Sequence, residues 1–337
     1  MLSEIERLGL ERMLLLTTER GRALGDDLAR SLGARVVGTF TGVREHVPVE
    51  VAREARALAR SLSADGLLAV GGGSTIGTAK AVALETPLPI VAVPTTYAGS
   101  EMTPIWGLTE SGHKRTGRSP DVLPRLVLYD PDLTLGLPAR VTGPSALNAL
   151  AHCVEALYAA GTNPITTLVA EEGMRALARG LPAAVASPMD PTGRADTLYG
   201  AYLAGAALGA AGTGLHHKIC HVLGGAFNLP HAETHAAVLP QVVWFQQSAI
   251  PSLMKRVAVA LGAETAAGGL YDLAERVGAP VALKTLGLRA EQLDEAVPLV
   301  LAVAPPENPR PVDRAAVRRI LQHAFDGRRP YSDAGAA

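Results

Sequence analysis

The sequence predicts an α/β domain with a parallel sheet over residues 1–140, followed by an all-α domain over residues 141–337. Three observations carry this reading. Short apolar runs alternate with helical periodicity as far as Leu137, the pattern of β-α-β units with right-handed crossovers. The runs do not alternate polar with apolar residues, which suits a sheet covered on both faces. Beyond Leu137, β-branched runs give way to long stretches of helical spacing. At 337 residues the chain is long enough for two cores.

Met13–Thr17 (MLLLT) reads as the first strand and Asp26–Leu32 as a helix. Val36–Phe40 is short and β-branched, a second strand. Over Pro48–Leu62, the residues Val49, Val51, Ala55, Leu58 and Leu62 recur at helical spacing. Leu67–Val70 is a strand closed by Gly71, Thr75–Leu84 a helix, and Ile90–Val93 and Arg125–Tyr129 two further strands. A boundary falls near Pro138–Thr142. Ser145–Ala159, Pro164–Ala178 and Ala195–Ala211 follow as helices, punctuated by Asn163-Pro164 and Thr192-Gly193. Gly205, Gly209, Gly212 and Gly214 predict close packing in a soluble bundle, and the small, polar tail Asp326–Ala337 predicts a frayed end.

With 31 basic and 32 acidic residues the net charge is −1, which excludes a nucleic-acid binder relying on bulk positive charge. Uninterrupted apolar stretches of membrane-spanning length are absent. The N-terminus, MLSEIERLGLERM, is acidic where a secretory signal would be basic. Two cysteines, Cys153 and Cys220, make no disulfide framework and read as core thiols. The expected compartment is a reducing cytoplasm.

Gly71-Gly72-Gly73-Ser74 lies between an apolar strand and a helix. Glycines let the backbone approach a diphosphate with free N–H groups, and the helix start adds positive potential. Ser74 is the expected N-cap. The same residues also suit a plain strand-to-helix turn, but the end of a sheet strand is where open α/β folds bind ligands. Thr95, Thr96 and Ser100 follow the next strand and offer hydroxyls to a cofactor. Asn148 and His152 are four apart, His217 and His221 repeat that spacing, and His231 follows Pro230 with His235 four further on. Convergent imidazoles hold zinc or iron, donate protons or bind carboxylates. The amide of Asn148 is a poor ligand, and Glu155 and Glu233 read as off that face, so the constellation looks like a metal site without its anionic ligand.

Six stretches carry a family resemblance: GTFTGVREHVPVE (38–50), AVGGGSTIGTAKA (69–81), PIVAVPTTYAGSEMTPIWGLTE (89–110), KRTGRSPDVLPRLVLYDPDLT (114–134), SALNALAHCVEALYA (145–159) and HKICHVLGGAFNLPHAETHAAVLP (217–240). They resemble the iron-containing alcohol dehydrogenase superfamily, and within it the maleylacetate reductase branch. The implied fold is dehydroquinate synthase-like, a dinucleotide-binding α/β domain and a helical domain with the active site in the cleft between them. Metal-dependent members use one Asp and three His. The His positions map onto His152, His217 and His231, the Asp position is Asn148, and the branch also carries Asn there. The resemblance therefore implies a dispensable metal, with those three histidines as ligands of any ion held. Thr41 stands where relatives carry an Asp for the adenosine ribose, which implies that NADH and NADPH are both accepted. Gly77 replaces an Asp of the relatives, and Lys114 matches a lysine that approaches the nicotinamide ribose.

The implied reaction is reduction of the carbon–carbon double bond of maleylacetate to 3-oxoadipate, in aromatic-compound degradation. Gly71, Gly72, Gly73, Ser74, Thr95, Thr96, Ser100, Lys114 and Thr41 are expected on the cofactor. His221 and His231 are expected as donor or acid, with Asn148, His152 and His217 orienting the substrate and Tyr97, Lys218 and His235 meeting its carboxylates. The partner is a small dicarboxylate, and the branch implies a homodimer. Other readings of the same fold are a metal-dependent alcohol or polyol dehydrogenase, a reductase of a related enone acid in biosynthesis, a lyase using bound NAD without net turnover, and a ligand-binding descendant without catalysis.

Overall fold

The computed structural model describes residues 1–110 and 113–331, and for 113 and 114 the backbone alone. The chain divides into two compact units, residues 1–134 and 135–337. In the first, α1 (Leu2–Arg7), β1 (Met13–Leu16), α2 (Arg22–Leu32), β2 (Val36–Phe40), α3 (Val49–Ser61), β3 (Gly66–Gly71), α4 (Gly73–Ala83) and β4 (Ile90–Pro94) alternate. A hairpin, β5 (Ile105–Glu110) and β6 (His113–Arg118), precedes the short β7 (Leu126–Val127).

The main sheet is parallel, in the order β2-β1-β3-β4-β7. Consecutive residues of β1 serve opposite faces, which explains its unbroken apolar run. Leu14 and Leu16 join Ala55, Ala59, Ile76 and Val82 of α3 and α4, whereas Met13 and Leu15 join Ile5 and Leu32 on the α1–α2 side. Chain order reverses about β1: β2 lies on one side and β3 on the other, so the carboxyl ends there form the ligand-binding edge of an open α/β sheet.

Three expectations are corrected in this unit. The strand read over Arg125–Tyr129 pairs only at Leu126 and Val127, because it lies at the sheet edge beside β4. The β5–β6 hairpin escaped the reading because β6, HKRTGR, has no apolar alternation. Ser74 is not an N-cap: the N-cap is Gly72, two residues earlier, and α4 has no side-chain cap.

The second unit is helical: α5 (Ala139–Ala156), α6 (Pro164–Ala186), α7 (Pro191–Ala211), α8 (Leu215–Phe227), α9 (His231–Gln246), α10 (Pro251–Leu261), α11 (Ala266–Arg276), α12 (Gln292–Leu301) and α13 (Arg314–Asp326). Every residue of α5 from Thr142 to Ala156 is buried, so it is a central helix without a polar face. Helices α8, α9, α12 and α13 enclose a separate apolar cluster around Ile219, Val242, Val297 and Ile320. Asn163 caps α6 by accepting from the Thr166 N–H, as its Asn-Pro signal indicates. Thr192-Gly193 is no boundary: it sits in the first turn of α7, which Asp190 caps.

Helices α6 and α7 pack without room for side chains between them. A Cβ at Gly180 would lie 2.6 Å from the Thr197 nitrogen, and one at Gly193 would lie 2.6 Å from the Ala184 nitrogen. The close packing expected at 201–214 thus includes turns ahead of that segment, and a Cβ on Gly212 would meet nothing. Arg329 forks onto Asp272 at 2.7 Å with both nitrogens, so residues 327–331 are tied down rather than frayed; residues 332–337 lie outside the described residues. No helix among the described residues is long and apolar enough to cross a membrane.

Candidate active site

The carboxyl ends of β3 and β4 hold the glycine loop. The Thr95 N–H donates to the Gly71 carbonyl at 3.1 Å, which ties the two strand ends together. A Cβ at Gly72 would fall 2.8 Å from Thr96 Cγ2, so the position admits only glycine while Thr96 stands there. Thr95, Thr96, Ser74 and Gly73 are half-buried around the start of α4, and Thr41 is half-buried at the end of β2. The Ser100 hydroxyl is buried without a hydrogen-bond partner, and a Cβ built on Gly73 would sit 4.0 Å from it. Free N–H groups at a helix start, a glycine approach and an orphaned hydroxyl fit the phosphates of a dinucleotide. Gly77 packs against Val47, 2.8 Å from where a Cβ would be, so an acid there would collide. The side chain of Lys114 lies outside the described residues.

Lys80 fixes the shape of this loop. Its ammonium, 1% exposed, donates to the carbonyls of Ser100 (2.6 Å), Thr103 (2.6 Å) and Ile105 (2.8 Å) and meets Thr103 Oγ1 at 3.0 Å. Burial lowers its pKa to about 7, against the opposing pull of the Glu101 carboxylate. Tyr97 is fully buried and its hydroxyl donates to Thr134 Oγ1 at 3.1 Å. This contact engages the phenol that the sequence reading expects at a substrate carboxylate.

In the second unit α5, α8 and α9 bring six imidazoles together. The rings of His152 and His217 stack with centroids 5.0 Å apart. His217 lies 6.0 Å from His221 and 4.7 Å from His235, and His231 lies 6.2 Å from His221 and 4.4 Å from His235. The i, i+4 pairs on α8 and α9 therefore converge as their spacing implies. Sequence reasoning missed His216, which is fully buried with Nε2 2.8 Å from His235 Nδ1. His235 is itself fully buried, and its Nε2 has no hydrogen-bond partner among the described residues. Lys218 is half-buried beside the cluster on α8.

Glu155 is the second omission, and the reading that set it off the face was wrong. Asn148, His152 and Glu155 are spaced i, i+4, i+7 on α5, one face of a helix. Its carboxylate is fully buried, with Oε2 2.6 Å from His217 Nδ1 and 2.8 Å from the Gly214 nitrogen, and Oε1 2.6 Å from the His216 nitrogen. Burial holds His152, His216 and His235 well below the ordinary imidazole pKa, and the neighbouring rings lower them further. Burial likewise raises the thiols of Cys153 and Cys220, so both stay protonated and serve the core.

Four buried atoms of the cluster have no hydrogen-bond partner among the described residues: Asn148 Oδ1, His152 Nδ1, His217 Nε2 and His235 Nε2. They mark where a polar ligand is received. To a divalent ion the set offers imidazole nitrogens and one neutral amide. Among the described residues, the trio whose nitrogens lie within 4.8 Å of one another is His216, His217 and His235, not the expected His152, His217 and His231. Within it, His216 Nε2 and His235 Nδ1 meet each other, while His217 Nε2 and His235 Nε2 are unpartnered. The Glu155 carboxylate is taken up by His217 Nδ1 and two main-chain N–H groups, and Asn148 contributes only a neutral amide.

The chain matches known proteins along nearly its whole length. The model of the iron-containing alcohol dehydrogenase family matches residues 1–131, and the model of that family's C-terminal region matches residues 142–325. The chain is 52% identical over 327 residues to a maleylacetate reductase of Burkholderia cepacia, covering 97% of this chain and 93% of that one. The crystal structure of a maleylacetate reductase from Rhizobium sp. superposes with a TM-score of 0.93 at 48% identity, covering 97% of this chain and 93% of that one. A structure assigned as an alcohol dehydrogenase, from Ralstonia eutropha JMP134, superposes with a TM-score of 0.96 at 53% identity, covering 98% and 93%.

Proposed function

The chain belongs to the iron-containing alcohol dehydrogenase family and is an oxidoreductase, and from that premise we propose that it reduces the carbon–carbon double bond of maleylacetate to 3-oxoadipate with NADH or NADPH. The observation that carries the reading is its likeness to maleylacetate reductases along nearly the whole chain, 52% identical in one case. The unpartnered acceptors and imidazoles of the cluster support it, because a dicarboxylate with a ketone needs several directed polar contacts.

A bound dinucleotide would supply a hydride to the alkene carbon β to the ketone, and the glycine loop with Thr95, Thr96 and Ser100 would hold its phosphates. Charge would then develop on the ketone oxygen as an enolate. A proton then reaches the carbon between them, completing a two-electron reduction. His221 and His231 are the donors that steady the oxyanion and deliver the proton, while Asn148, His152 and His217 orient the substrate. Lys218 remains the cationic partner for a carboxylate. Thr41 carries no charge to repel a 2′-phosphate, which supports use of both cofactors.

No metal enters these steps. What supports this is the neutral amide of Asn148 beside imidazoles that lack an anionic partner ligand. The enzyme acts in this reading as a cytoplasmic homodimer, which gel filtration of the purified protein checks. Following NADH absorbance with freshly generated maleylacetate, with and without chelator, tests the function. Turnover insensitive to chelation is the expected result. Turnover lost on chelation and restored by zinc or iron would favour the metal-dependent dehydrogenase instead. Unchanged kcat/KM in both His221→Ala and His231→Ala would remove the donor assignments.

A further inference from the structure

We propose that Glu155 is a positioning residue that holds His217 with its proton on Nδ1, so that Nε2 enters the cluster as a hydrogen-bond acceptor. The geometry leaves little freedom. Both carboxylate oxygens already accept main-chain N–H groups, from Gly214 at 2.8 Å and His216 at 2.6 Å. A carboxylate in that position is an acceptor only, so at 2.6 Å His217 Nδ1 must be the donor. Nε2 is buried beside His152, His221 and His235 with no hydrogen-bond partner among the described residues, so a proton there would find no acceptor and the atom presents its lone pair.

Glu155 performs this task from the end of α5 while closing the start of α8, where Gly214 is the N-cap and has no capping side chain of its own. Carboxylate charge is favoured at a helix N-terminus, and the first N–H groups there need acceptors. One buried side chain thus fixes a helix start and a ring orientation together. The roles within the cluster divide accordingly. His217 Nε2 accepts from a hydroxyl or other donor of the ligand, and stabilisation of an oxyanion falls to the remaining imidazoles. The consequence for turnover rests on the maleylacetate reading, whereas the position of the proton does not.

The test is nitrogen NMR of protein labelled at histidine, at pH 8 and without substrate, with the His217 signals identified by their loss in His217→Asn. The expected wild-type spectrum has a protonated Nδ1 and an unprotonated Nε2 for His217. An unprotonated Nδ1 or a protonated Nε2 would overturn the proposal. Glu155→Met removes the acceptor, so a population with the proton on Nε2 should appear, and kcat should fall roughly 10- to 100-fold with KM little changed. A folded Glu155→Met enzyme with an unchanged His217 spectrum would also overturn it. Should that variant not fold, the wild-type spectrum decides alone. Failure of the wild type to reduce maleylacetate would sink the functional reading and leave the tautomer result standing.

Discussion

Replacing Lys80 by methionine keeps the length of the side chain and removes its charge. Three carbonyls, of Ser100, Thr103 and Ile105, then lose a charged donor at 2.6–2.8 Å. An unsatisfied buried acceptor costs about 1–3 kcal/mol, and relief from burying an ammonium offsets part of the sum, leaving about 2–4 kcal/mol. The loss is local, because all three acceptors belong to the segment that carries Ser100 beside the glycine loop. Amide hydrogen exchange over residues 100–105 should therefore lose protection by about 30- to 900-fold, since each 1.4 kcal/mol is tenfold. The KM for NADH should rise in step, with kcat less affected. Exchange within threefold of wild type, roughly 0.6 kcal/mol, together with an unchanged KM would refute the reasoning.

Three further outcomes follow from the same kind of argument. Gly72→Ala places a methyl 2.8 Å from Thr96 Cγ2, so the loop must shift, and the KM for NADH should rise roughly tenfold in steady-state kinetics. Arg194 is fully buried and donates to the carbonyls of Pro188 and Leu137 and to Thr142 Oγ1, so Arg194→Met should cost about 2–4 kcal/mol in urea unfolding of the second unit. His152, His216 and His235 have depressed pKa values in the folded state, so the unfolded chain takes up protons first as pH falls through about 6.5. Stability present above that pH is lost below it, by about 1.4 kcal/mol per histidine at pH 5.5, and a melting temperature unchanged between pH 7.5 and pH 5.5 would contradict this.

Much of the fold is legible because local and tertiary signals coincide. The MLLL run of β1 is buried on both faces, and the Asn163-Pro164 pair caps α6 where the sequence places a boundary. The hairpin is invisible for the opposite reason: it is held by ladder bonds and by Lys80 beneath it, not by an apolar face of β6. In the site, i, i+4 spacing locates the imidazoles, since helix geometry alone makes such pairs converge. The same spacing puts Glu155 on the face of Asn148, at i+7, yet the sequence reading set it off that face. What distinguishes it is its contact with the start of α8, 59 residues away, and no local pattern announces that. The Tyr97–Thr134 contact is equally non-local, its partners 37 residues apart.

The backbone-to-backbone seam of α6 and α7 bears on how the second unit comes to fold. Each glycine inside a helix costs about 1 kcal/mol in intrinsic preference, and Gly173, Gly180, Gly193 and Gly200 all lie within these two segments. Neither segment is therefore a strong helix by itself, and what each lacks is returned only when its neighbour arrives. Winding and docking should then be one kinetic event, with the seam residues either wholly formed or wholly unformed at the barrier and no free-standing helical precursor of either segment.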